Sequence, residues 1–473
     1  MIVRFLSLPM MLAVAVLSVI GPADSAVAAD DAVFGTPLDG YRGIWYANQE
    51  TGNEYVYKYS GGLGTYCAKH IPQSVYAPEV DKTFFVYGGT TKEGDSLQEM
   101  VSYYDHKTGQ VPRPVLVYHK KDTTDAHDNP VLSIDSDGHL WVFVSAHGRG
   151  PKSFIFKSLK PYDISAFEQV ANFNFSYPQP WYIEGQGFLF LHTWYEGGRG
   201  MYFRTSSDGK EWSDRVQMSH IDQGHYQISW PWKNRVGSAF NYHPEGKGLN
   251  FRTNLYYMHT ADMGETWTTV DGRPVTLPVT TIENPALIHD YQSEGRLVYM
   301  KDLNYDSEGN PVILHVTSGG WVSGPESGPR RWRVAHWTGE AWAFHTITES
   351  DNNYDMGSIF IGEDGIWRVV GPTEVGPQAY NPGGEIASWV SADQGKTWTR
   401  EHQLTAGSER NHTYARRPLH GQDDFYTIWA DGHGRQPSDS KLFFYNQKAG
   451  EVRQLPFDMT DDMATPVLVN TVK

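Results

Sequence analysis

SIDSDGHLWVFV, residues 133–144, has the pattern of a β-hairpin: an apolar strand, a polar turn at Gly138, and a second strand of apolar and aromatic residues. Three further segments share this pattern: YIEGQGFLFLH (182–192), IHDYQSEGRLVYM (288–300) and FIGEDGIWRVV (360–370). Weaker copies centred near Asp81, Asn234 and Asp423 bring the number to seven, at intervals of roughly 50 to 70 residues. We therefore predict an all-β, seven-bladed β-propeller with four-stranded antiparallel blades, running as a single domain from about residue 36 to 460. Six blades plus a β-sandwich is the alternative.

A second repeat consists of turns that begin with Ser or Thr and contain Asp, Gly and Trp. The three copies lie at residues 206–212, 260–267 and 391–398. They resemble the Asp-box of sialidase-type propellers, in which Asp and Ser/Thr accept backbone hydrogen bonds, Gly takes a positive φ, and Trp packs between blades. These turns indicate the fold without indicating an activity. The Pro/Gly-rich residues 319–331 are predicted to form a long loop in the fifth blade.

The composition of the 473 residues limits the function. A hydrophobic share of 39% with 20% charged residues is typical of a soluble globular protein. The formal net charge of -16 would repel nucleic acid, and any polyanionic partner would need Arg and His gathered into one cleft. The single cysteine, Cys67, excludes an internal disulfide.

The N-terminus has the pattern of a secretory signal peptide. Arg4 precedes an apolar run from Phe5 to Ile20, and the small residues around Ala28 suit a cleavage site. We predict a signal peptide over residues 1–28, a mature chain over 29–473, and a secreted or periplasmic protein. The run is short for a membrane anchor, which is the alternative interpretation, and no later stretch is long and apolar enough to cross a bilayer. In an exported protein, Cys67 would need burial or a ligand to escape oxidation.

Antiparallel strands place the start of the first strand and the end of the second strand of a blade at the same face of the propeller. First strands are predicted to begin near His127, Tyr177, His225–Tyr226, Asn284 and His412, and second strands to end near His147, Tyr195 and Tyr242–His243. The tightest predicted group is His127, His147, Tyr195 and either Arg199 or Arg204. Two imidazoles, a phenol and a guanidinium suit proton abstraction beside a carboxylate, as in β-elimination at a uronic acid. The GxSxG and HExxH motifs, which are typical of serine hydrolases and zinc peptidases, are absent.

Several motifs carry a family resemblance across nearly the whole mature chain. They are DGYRGIWY (39–46), YVYKYSGGLGTYCAKH (55–70), KTFFVYGGT (82–90), HDNP (127–130), SAHGRG (145–150) and GRGMYFRTSSDG (198–209). With these motifs the chain resembles the secreted BNR-repeat propellers that include the ulvan lyases of polysaccharide lyase families 24 and 25. Enzymes acting on rhamnose-α-1,4-glucuronate ends, both lyases and rhamnohydrolases, are relatives of the same group.

The resemblance to the lyases implies a His, His, Tyr, Arg set at one face, which corresponds here to His127, His147, Tyr195 and Arg204. It implies Tyr195 as the base and a candidate for the acid as well, His127 as a partner in proton transfer, His147 as a sugar-positioning residue and Arg204 as the group that neutralises the carboxylate. Further substrate contacts are expected from five residues: Arg199, His225, Tyr242, His243 and Arg252. The expected activity is cleavage of rhamnose(3-sulfate)-α-1,4-glucuronate linkages in ulvan, giving 4,5-unsaturated uronate ends.

Two other functions remain open at this point. The rhamnohydrolase relatives imply a catalytic histidine on the opposite face at GLGTYCAKH, where His70 stands, and the 16 Trp could also serve a non-catalytic carbohydrate-binding propeller. The chemistry needs no cofactor, although the resemblance implies a structural zinc or calcium in some lyases, for which Cys67 is a weak candidate ligand. We expect a monomer whose partner is an anionic polysaccharide, with neither nucleic acid nor membrane as a partner.

Overall fold

The computed structural model describes residues 33–63, 69–94, 96–121, 123–150 and 152–472. Seven antiparallel sheets of four or five strands follow one another along the chain, which confirms the all-β, seven-bladed β-propeller. The first strands of successive blades contact one another, so they line the central channel. The predicted signal peptide and Cys67 lie outside the described residues.

The strands of the N-terminal segment and the first three blades are short and regularly spaced. The N-terminal segment forms β1 (Val33–Phe34), β2 (Thr36–Pro37), β3 (Tyr46–Glu50) and β4 (Tyr57–Gly61). Blade 1 contains β5 (Ser74–Ala77), β6 (Lys82–Thr90), β7 (Leu97–Asp105) and β9 (Val115–Lys120), with β8 (Val111–Pro112) between the last two. Blade 2 contains β10 (Pro130–Ile134), β11 (Leu140–Val144), β12 (Phe154–Ser158) and β13 (Phe167–Asn172). Blade 3 contains β14 (Ser176–Ile183), β15 (Gly187–Tyr195), β16 (Arg199–Ser206) and β17 (Val216–Ser219).

The remaining four blades follow the same order. Blade 4 contains β18 (Gln227–Trp232), β19 (Arg235–Tyr242), β20 (Thr253–Thr260) and β21 (Leu287–His289). Blade 5 contains β22 (Leu297–Tyr305), β23 (Pro311–Ser318), β24 (Arg330–Trp337) and β25 (Trp342–Ser350). Blade 6 contains β26 (Ser358–Ile361), β27 (Trp367–Glu374), β28 (Glu385–Ser391) and β29 (Thr399–Gln403). Blade 7 contains β30 (Asn411–Arg416), β31 (Thr427–Gly432), β32 (Leu442–Asn446), β33 (Glu451–Gln454) and β35 (Val467–Thr471), with β34 (Met463–Ala464) before the last strand. Short 3-10 helices lie at Ala126–Asp128, Pro325–Ser327 and Asp423–Phe425.

The two ends of the described chain close the ring. β2 adds an outer strand to blade 1 and β1 adds one to blade 2. β34 pairs with β8 of the first blade, and the amide of Tyr41 donates to the carbonyl of Pro456 at 2.9 Å. Blade 7 is therefore tied to blade 1 by backbone hydrogen bonds rather than by side-chain packing alone.

Six of the seven predicted hairpins join the first and second strands of a blade, and the fifth prediction is wrong. Residues 288–300 connect β21 at the outer side of blade 4 to β22, the first strand of blade 5. The corresponding turn of blade 5 lies between Tyr305 and Pro311, where the amide of Gly309 donates to the carbonyl of Asp306. Asn284 consequently lies in the loop before β21 instead of at the start of a first strand. A polar turn between apolar segments has the same local signal whether it joins strands within one blade or between two.

The three Asp-box turns each join the third and fourth strands of a blade. In the first copy, Ser206 Oγ accepts from the amide of Gly209 at 2.8 Å, and Asp208 accepts from the amides of Lys210 and Glu211 at 2.9 Å. The ring of Trp212 lies 6.1 Å from that of Phe143 in the neighbouring blade. Gly209 has φ 72°, and a Cβ there would lie 2.4 Å from Trp141 of that same neighbour, so only glycine fits the interface. The turns therefore pack one blade against the next, as predicted.

The predicted long loop of blade 5 is confirmed, since β23 ends at Ser318 and β24 begins at Arg330. It leaves the end of a second strand and therefore lies at the same end of the propeller as His147 and Tyr195. Within the described ranges, no helix is both long and apolar enough to span a lipid bilayer.

Candidate active site

The segment before β10 fixes His127 at the channel mouth. Asp125 is the N-cap of the short 3-10 helix Ala126–Asp128, and its Oδ1 accepts from the backbone amide of His127 at 3.0 Å. The next carboxylate, Asp128, accepts from the amide of His147 at 2.7 Å and lies 3.1 Å from the ammonium of Lys120. Hydrogen bonds from backbone amides to Asp125 and Asp128 therefore position the segments that carry the two histidines, independently of any contact between the imidazole rings.

The two imidazoles share one carboxylate. Asp125 Oδ1 lies 2.5 Å from Nδ1 of His127, and its Oδ2 lies 2.9 Å from Nδ1 of His147. The rings stack with their centroids 3.7 Å apart. Hydrogen bonds from His147 and from the amide of His127 outweigh the effect of burial and lower the pKa of Asp125, so it is ionised. A carboxylate that accepts from Nδ1 fixes the tautomer in which the lone pair is on Nε2.

A phenol and a guanidinium stand beside this pair. Tyr195 ends β15 and Arg199 begins β16, and the two residues are paired directly across that hairpin. The Tyr195 ring lies 5.6 Å from the His147 ring, and Nε of Arg199 lies 3.4 Å from the Tyr195 hydroxyl. Burial raises the pKa of Tyr195, while the positive charge of Arg199 opposes the rise. The four side chains therefore form one contiguous acid–base group.

Two buried arginines at this mouth have no described carboxylate within ion-pair distance. Arg199 is 8% exposed and Arg252 is 3% exposed. Their guanidinium carbons lie 4.9 Å and 4.2 Å from the centroid of the Tyr226 ring, and Arg252 also donates to the hydroxyl of Tyr354 at 3.0 Å. Nη1 of Arg199 is buried without a hydrogen-bond acceptor among the described residues. Aromatic faces stabilise these cations only in part, so the pair attracts an anion.

Burial and the neighbouring charges act on His127 as well. Burial lowers the pKa of His127 well below its ordinary value, and His147, Arg199 and Arg252 lower it further. The same two arginines lower the pKa of the buried His243, for which burial is again the largest cause. The ring of His243 lies 5.3 Å from that of Tyr226, which places this predicted substrate contact in the group. Both imidazoles are neutral at neutral pH.

The structure does not bring Arg204 to this group. Arg204 pairs with Phe190, five positions along the strand from the Tyr195–Arg199 pair, or about 16 Å away. An odd separation also places it on the other face of the sheet, where its guanidinium lies over Phe173 and donates to the carbonyl of Ser213 at 2.6 Å. The guanidinium beside Tyr195 belongs to Arg199, so the assignment of carboxylate neutralisation to Arg204 is corrected.

Two other predicted substrate contacts belong to the packing of blade 4. His225 is fully buried, with Nδ1 2.7 Å from the carbonyl of Asn241 and Nε2 accepting from the amide of Ile221 at 2.9 Å. Burial lowers its pKa to about 3. The hydroxyl of Tyr242 donates to Gln292 in the loop before β22. Both residues stand at the predicted strand ends, but their polar atoms are bound within the protein.

His70 lies beside His127 and not on the opposite face. Its Nε2 is 3.0 Å from the carbonyl of His127, its side chain is fully buried, and its ring is 5.4 Å from that of Tyr177. Burial lowers the pKa of His70 to about 3. A histidine in this position supports the backbone of the His127 segment, and its side chain does not reach solvent. The geometry therefore does not favour the hydrolase interpretation, which needs His70 to contact the substrate.

Sequence reasoning missed Asp125 and Lys58. Asp125 had a local signal, since an Asp two residues before His127 is a typical helix N-cap. Lys58 had none: it lies on β4, and the charges of Arg252 and Arg199 act on its ammonium across the mouth.

Tyr177, expected only as a strand start, adopts φ 53° and places its ring 5.4 Å from that of His127. A buried tyrosine in the left-handed region stores backbone strain, which occurs mainly at functional sites.

The described residues do not fit a structural zinc. Asp125, His127 and His147 converge within 4.8 Å, the distance range of a metal site. Their closest donor–acceptor contacts of 2.5 and 2.9 Å are, however, hydrogen bonds between ring nitrogens and the carboxylate, and a structural zinc takes four Cys or His ligands. The carboxylate and the two imidazoles in hydrogen-bond contact form an arrangement that suits acid–base chemistry.

A cavity of about 1120 Å³ opens at the other end of the propeller, among turns between first and second strands. Five of its lining residues are acidic and three are Lys or Arg. They are Asp81, Glu363, Asp364, Asp423 and Asp424, against Arg368, Arg417 and Lys448. This balance opposes a polyanion, whereas the mouth with Arg199 and Arg252 attracts one.

The fold and this site together define a class: a repeat-containing β-propeller that has, at one mouth of its channel, an acid–base group and two arginines without a described carboxylate partner. The sequence pattern of the BNR repeat-containing family matches residues 95–350, more than half of the chain. The chain therefore belongs to the BNR repeat-containing family.

Comparison with individual proteins gives distant relatives. An ulvan lyase of Nonlabens ulvanivorans is 24% identical over 403 residues, which cover 75% of this chain and 81% of that protein. A PL25 ulvan lyase of Pseudoalteromonas sp. (strain PLSV) is 22% identical over 291 residues, 53% of this chain and 59% of that protein. The solved structure of a PL25 ulvan lyase has a TM-score of 0.66 at 17% identity and covers 86% of this chain and 96% of its own. A structure of such a lyase bound to -[GlcA(1-4)Rha3S]- has the same TM-score at 16% identity over the same shares of the two chains. These structures share the fold with this chain.

Proposed function

We propose that this chain is a polysaccharide lyase that cleaves rhamnose(3-sulfate)-α-1,4-glucuronate linkages of ulvan by β-elimination. One observation carries the proposal. In a protein of net charge -16, the acid–base group of His127, His147 and Tyr195 adjoins Arg199 and Arg252, which have no described carboxylate partner. The relatives that are named ulvan lyases, and the related structure with a glucuronate–rhamnose sulfate fragment, support the choice of substrate.

The uronate carboxylate binds the guanidinium of Arg199 and provides the negative charge that this guanidinium lacks among the described residues. Neutralising the carboxylate acidifies the proton on C5 and stabilises the enolate-like intermediate that forms when this proton leaves. The electron pair of the C5–H bond then forms the C4–C5 double bond, and the bond from C4 to the glycosidic oxygen breaks. A proton donated to that oxygen completes the reaction and releases the rhamnose end.

The pKa directions support a division of the two proton-transfer roles. Burial raises the pKa of Tyr195, so its hydroxyl is protonated at neutral pH and suits the acid that donates to the leaving oxygen. Burial lowers the pKa of His127, and Asp125 holds its tautomer, so a neutral imidazole with its lone pair on Nε2 suits the base. The sequence-based assignment of Tyr195 as the base is thus replaced, in this proposal, by Tyr195 as the acid.

The test is incubation of the purified protein with ulvan while the ultraviolet absorbance of the conjugated, unsaturated uronate is recorded. The absorbance should rise together with the number of reducing ends. Reducing ends without the chromophore would indicate hydrolysis, and binding without either product would indicate a non-catalytic propeller. Both results would reject the lyase.

We also propose that the mature protein is exported and acts as a monomer. The basic start, apolar run and small residues of positions 1–28 support export, which suits an enzyme whose polymeric substrate does not enter cells. N-terminal sequencing of protein from the culture medium or periplasm should begin near Ala29. Light scattering should give the mass of one mature chain.

A further inference from the structure

The hairpin of β3 and β4 lies across the mouth of the channel. The hydroxyl of Tyr46 donates to Asn129, next to the His127 segment, at 2.9 Å. On the second strand of the hairpin, Tyr59 packs edge-on against Tyr354 at 4.7 Å and donates to Asn250 at 3.2 Å. The hairpin therefore contacts the segment before blade 2 on one side of the candidate site, and on the other side a loop within blade 4 and the segment before blade 6.

Lys58 is the cation that this hairpin contributes. Its side chain is 7% exposed, it donates to Asn250, and it lies 3.5 Å from Gln49 Oε1. Its neighbours among the described residues include no carboxylate within ion-pair distance. Burial, together with the positive charges of Arg252 and Arg199, lowers the pKa of Lys58 to about 7. A third cation is thus held beside two others at a cost in desolvation and repulsion that no described carboxylate offsets.

An exposed aromatic ring stands next to this ammonium. Nζ of Lys58 lies 5.1 Å from the centroid of Trp321, which belongs to the long loop of blade 5 and is 38% exposed. The loop is held against the hairpin, because a Cβ at Gly324 would lie 3.3 Å from the ring of Tyr55. An indole that exposes its face at the rim of a polysaccharide site offers a stacking surface for a sugar ring.

We propose that Lys58 and Trp321 form a second subsite, in which Trp321 stacks on the sugar next to the uronate and Lys58 binds a sulfate ester on that sugar. The inference rests on the proposed function, because it places the uronate carboxylate at Arg199 and Arg252. A planar guanidinium matches a planar carboxylate, whereas the compact ammonium of Lys58 acts as a point charge suited to the tetrahedral oxyanion beside it. The incoming sulfate supplies the counter-charge that the three cations lack.

The decisive experiment compares Lys58→Gln with wild type on ulvan and on chemically desulfated ulvan. Wild type should show a lower KM for the sulfated polymer. K58Q should raise that KM by about tenfold or more while leaving kcat and the KM for desulfated polymer unchanged, so that the preference disappears. The surface variant Lys448→Gln, at the other end of the propeller, is the matched control and should behave as wild type.

Other outcomes overturn the subsite. An equal rise in KM on both polymers would give Lys58 a role with the uronate or in folding, and a fall in kcat alone would give it a catalytic role. Because a buried lysine variant can be destabilised, Trp321→Ala serves as a second test on an exposed residue: it should raise KM on both polymers and keep the preference for sulfate. A wild-type protein that yields no unsaturated product from either polymer would reject the proposed function, whereas product without sulfate preference would reject only the subsite.

Discussion

The imidazoles of His127 and His147 stack at 3.7 Å, although 20 positions separate them along the chain. Each ring turns its Nδ1 to the same carboxylate, Asp125. A shared acceptor holds both rings in one tautomer and directs both Nε2 atoms away from the carboxylate.

The first prediction concerns that carboxylate. Asp125→Asn keeps the shape but can donate as well as accept, so the tautomer of the two histidines is no longer fixed. We expect kcat to fall by about 100-fold or more with little change in KM, since exchanging an orienting Asp for Asn leaves a catalytic histidine in the wrong tautomer. Steady-state kinetics on ulvan measures it. Asp137→Asn, in an exposed turn at the far end of blade 2, should leave kcat unchanged. Equal effects of the two variants would contradict the orienting role.

The second prediction separates two arginines of the same strand. Arg199→Gln removes the cation beside Tyr195 and should lower kcat by about 100- to 1000-fold, the usual loss when a group that stabilises developing charge is removed. Arg204→Gln, on the other face of the sheet against Phe173, should lower the melting temperature and leave kcat near wild type. Steady-state kinetics and thermal unfolding of both variants test this prediction. The reverse result would restore Arg204 as the neutralising residue.

The third prediction concerns the acid. Tyr195→Phe removes the hydroxyl while retaining the ring that contacts His147, so we expect kcat to fall by about 100-fold or more with KM nearly unchanged. Tyr182→Phe, whose hydroxyl bonds Ser136 at the far end of the sheets, is the matched control. Chromophore formation is the readout. If Y195F keeps most of the wild-type kcat, Tyr195 does not act in proton transfer.

The fourth prediction assigns His225 to stability. His225→Ala leaves the amide of Ile221 and the carbonyl of Asn241 buried without their partner, which costs about 1–3 kcal/mol of unfolding free energy for each group. Burial lowers the pKa of His225 to about 3, so below about pH 6.5 the unfolded chain binds a proton that the native protein does not. The stability advantage of wild type over the variant should therefore shrink as pH falls below 6.5, by about 1.4 kcal/mol per pH unit. Urea unfolding across this range measures it, and an advantage independent of pH would contradict the assignment.

The fifth prediction is a pH dependence of substrate binding. Burial, with repulsion from Arg252 and Arg199, lowers the pKa of Lys58 to about 7, so its charge is present below that pH and is lost above it. The KM for sulfated ulvan should rise by up to tenfold per pH unit above 7. The other ionisable groups facing Lys58 keep their charge across this range: Arg199 and Arg252 stay positive, and burial raises the pKa of Tyr59. Lys58→Arg should flatten the dependence, because arginine stays charged. A wild-type KM that is constant from pH 6 to 9 would contradict the prediction.

Much of the architecture follows from local pattern. The hairpins around Gly138 and Gly187 and the Asp-box turns depend on residues within about ten positions of one another, so their signals are visible in the chain itself. The same reasoning placed His127, His147 and Tyr195 at one mouth, because strand direction fixes which ends meet. It failed at residues 288–300, where a turn between blades has the composition of a turn within one.

Strand alternation and turn chemistry are local, so the amino-acid pattern alone specifies the propeller, its number of blades and the end at which the histidines and Tyr195 meet. The folded structure was needed to place Arg199 rather than Arg204 beside Tyr195, since that depends on which face of a strand each side chain takes. It also decided that Lys58 lies among cations contributed by blades 3 and 4. Contacts between segments more than a hundred residues apart are set by how the blades close into a ring.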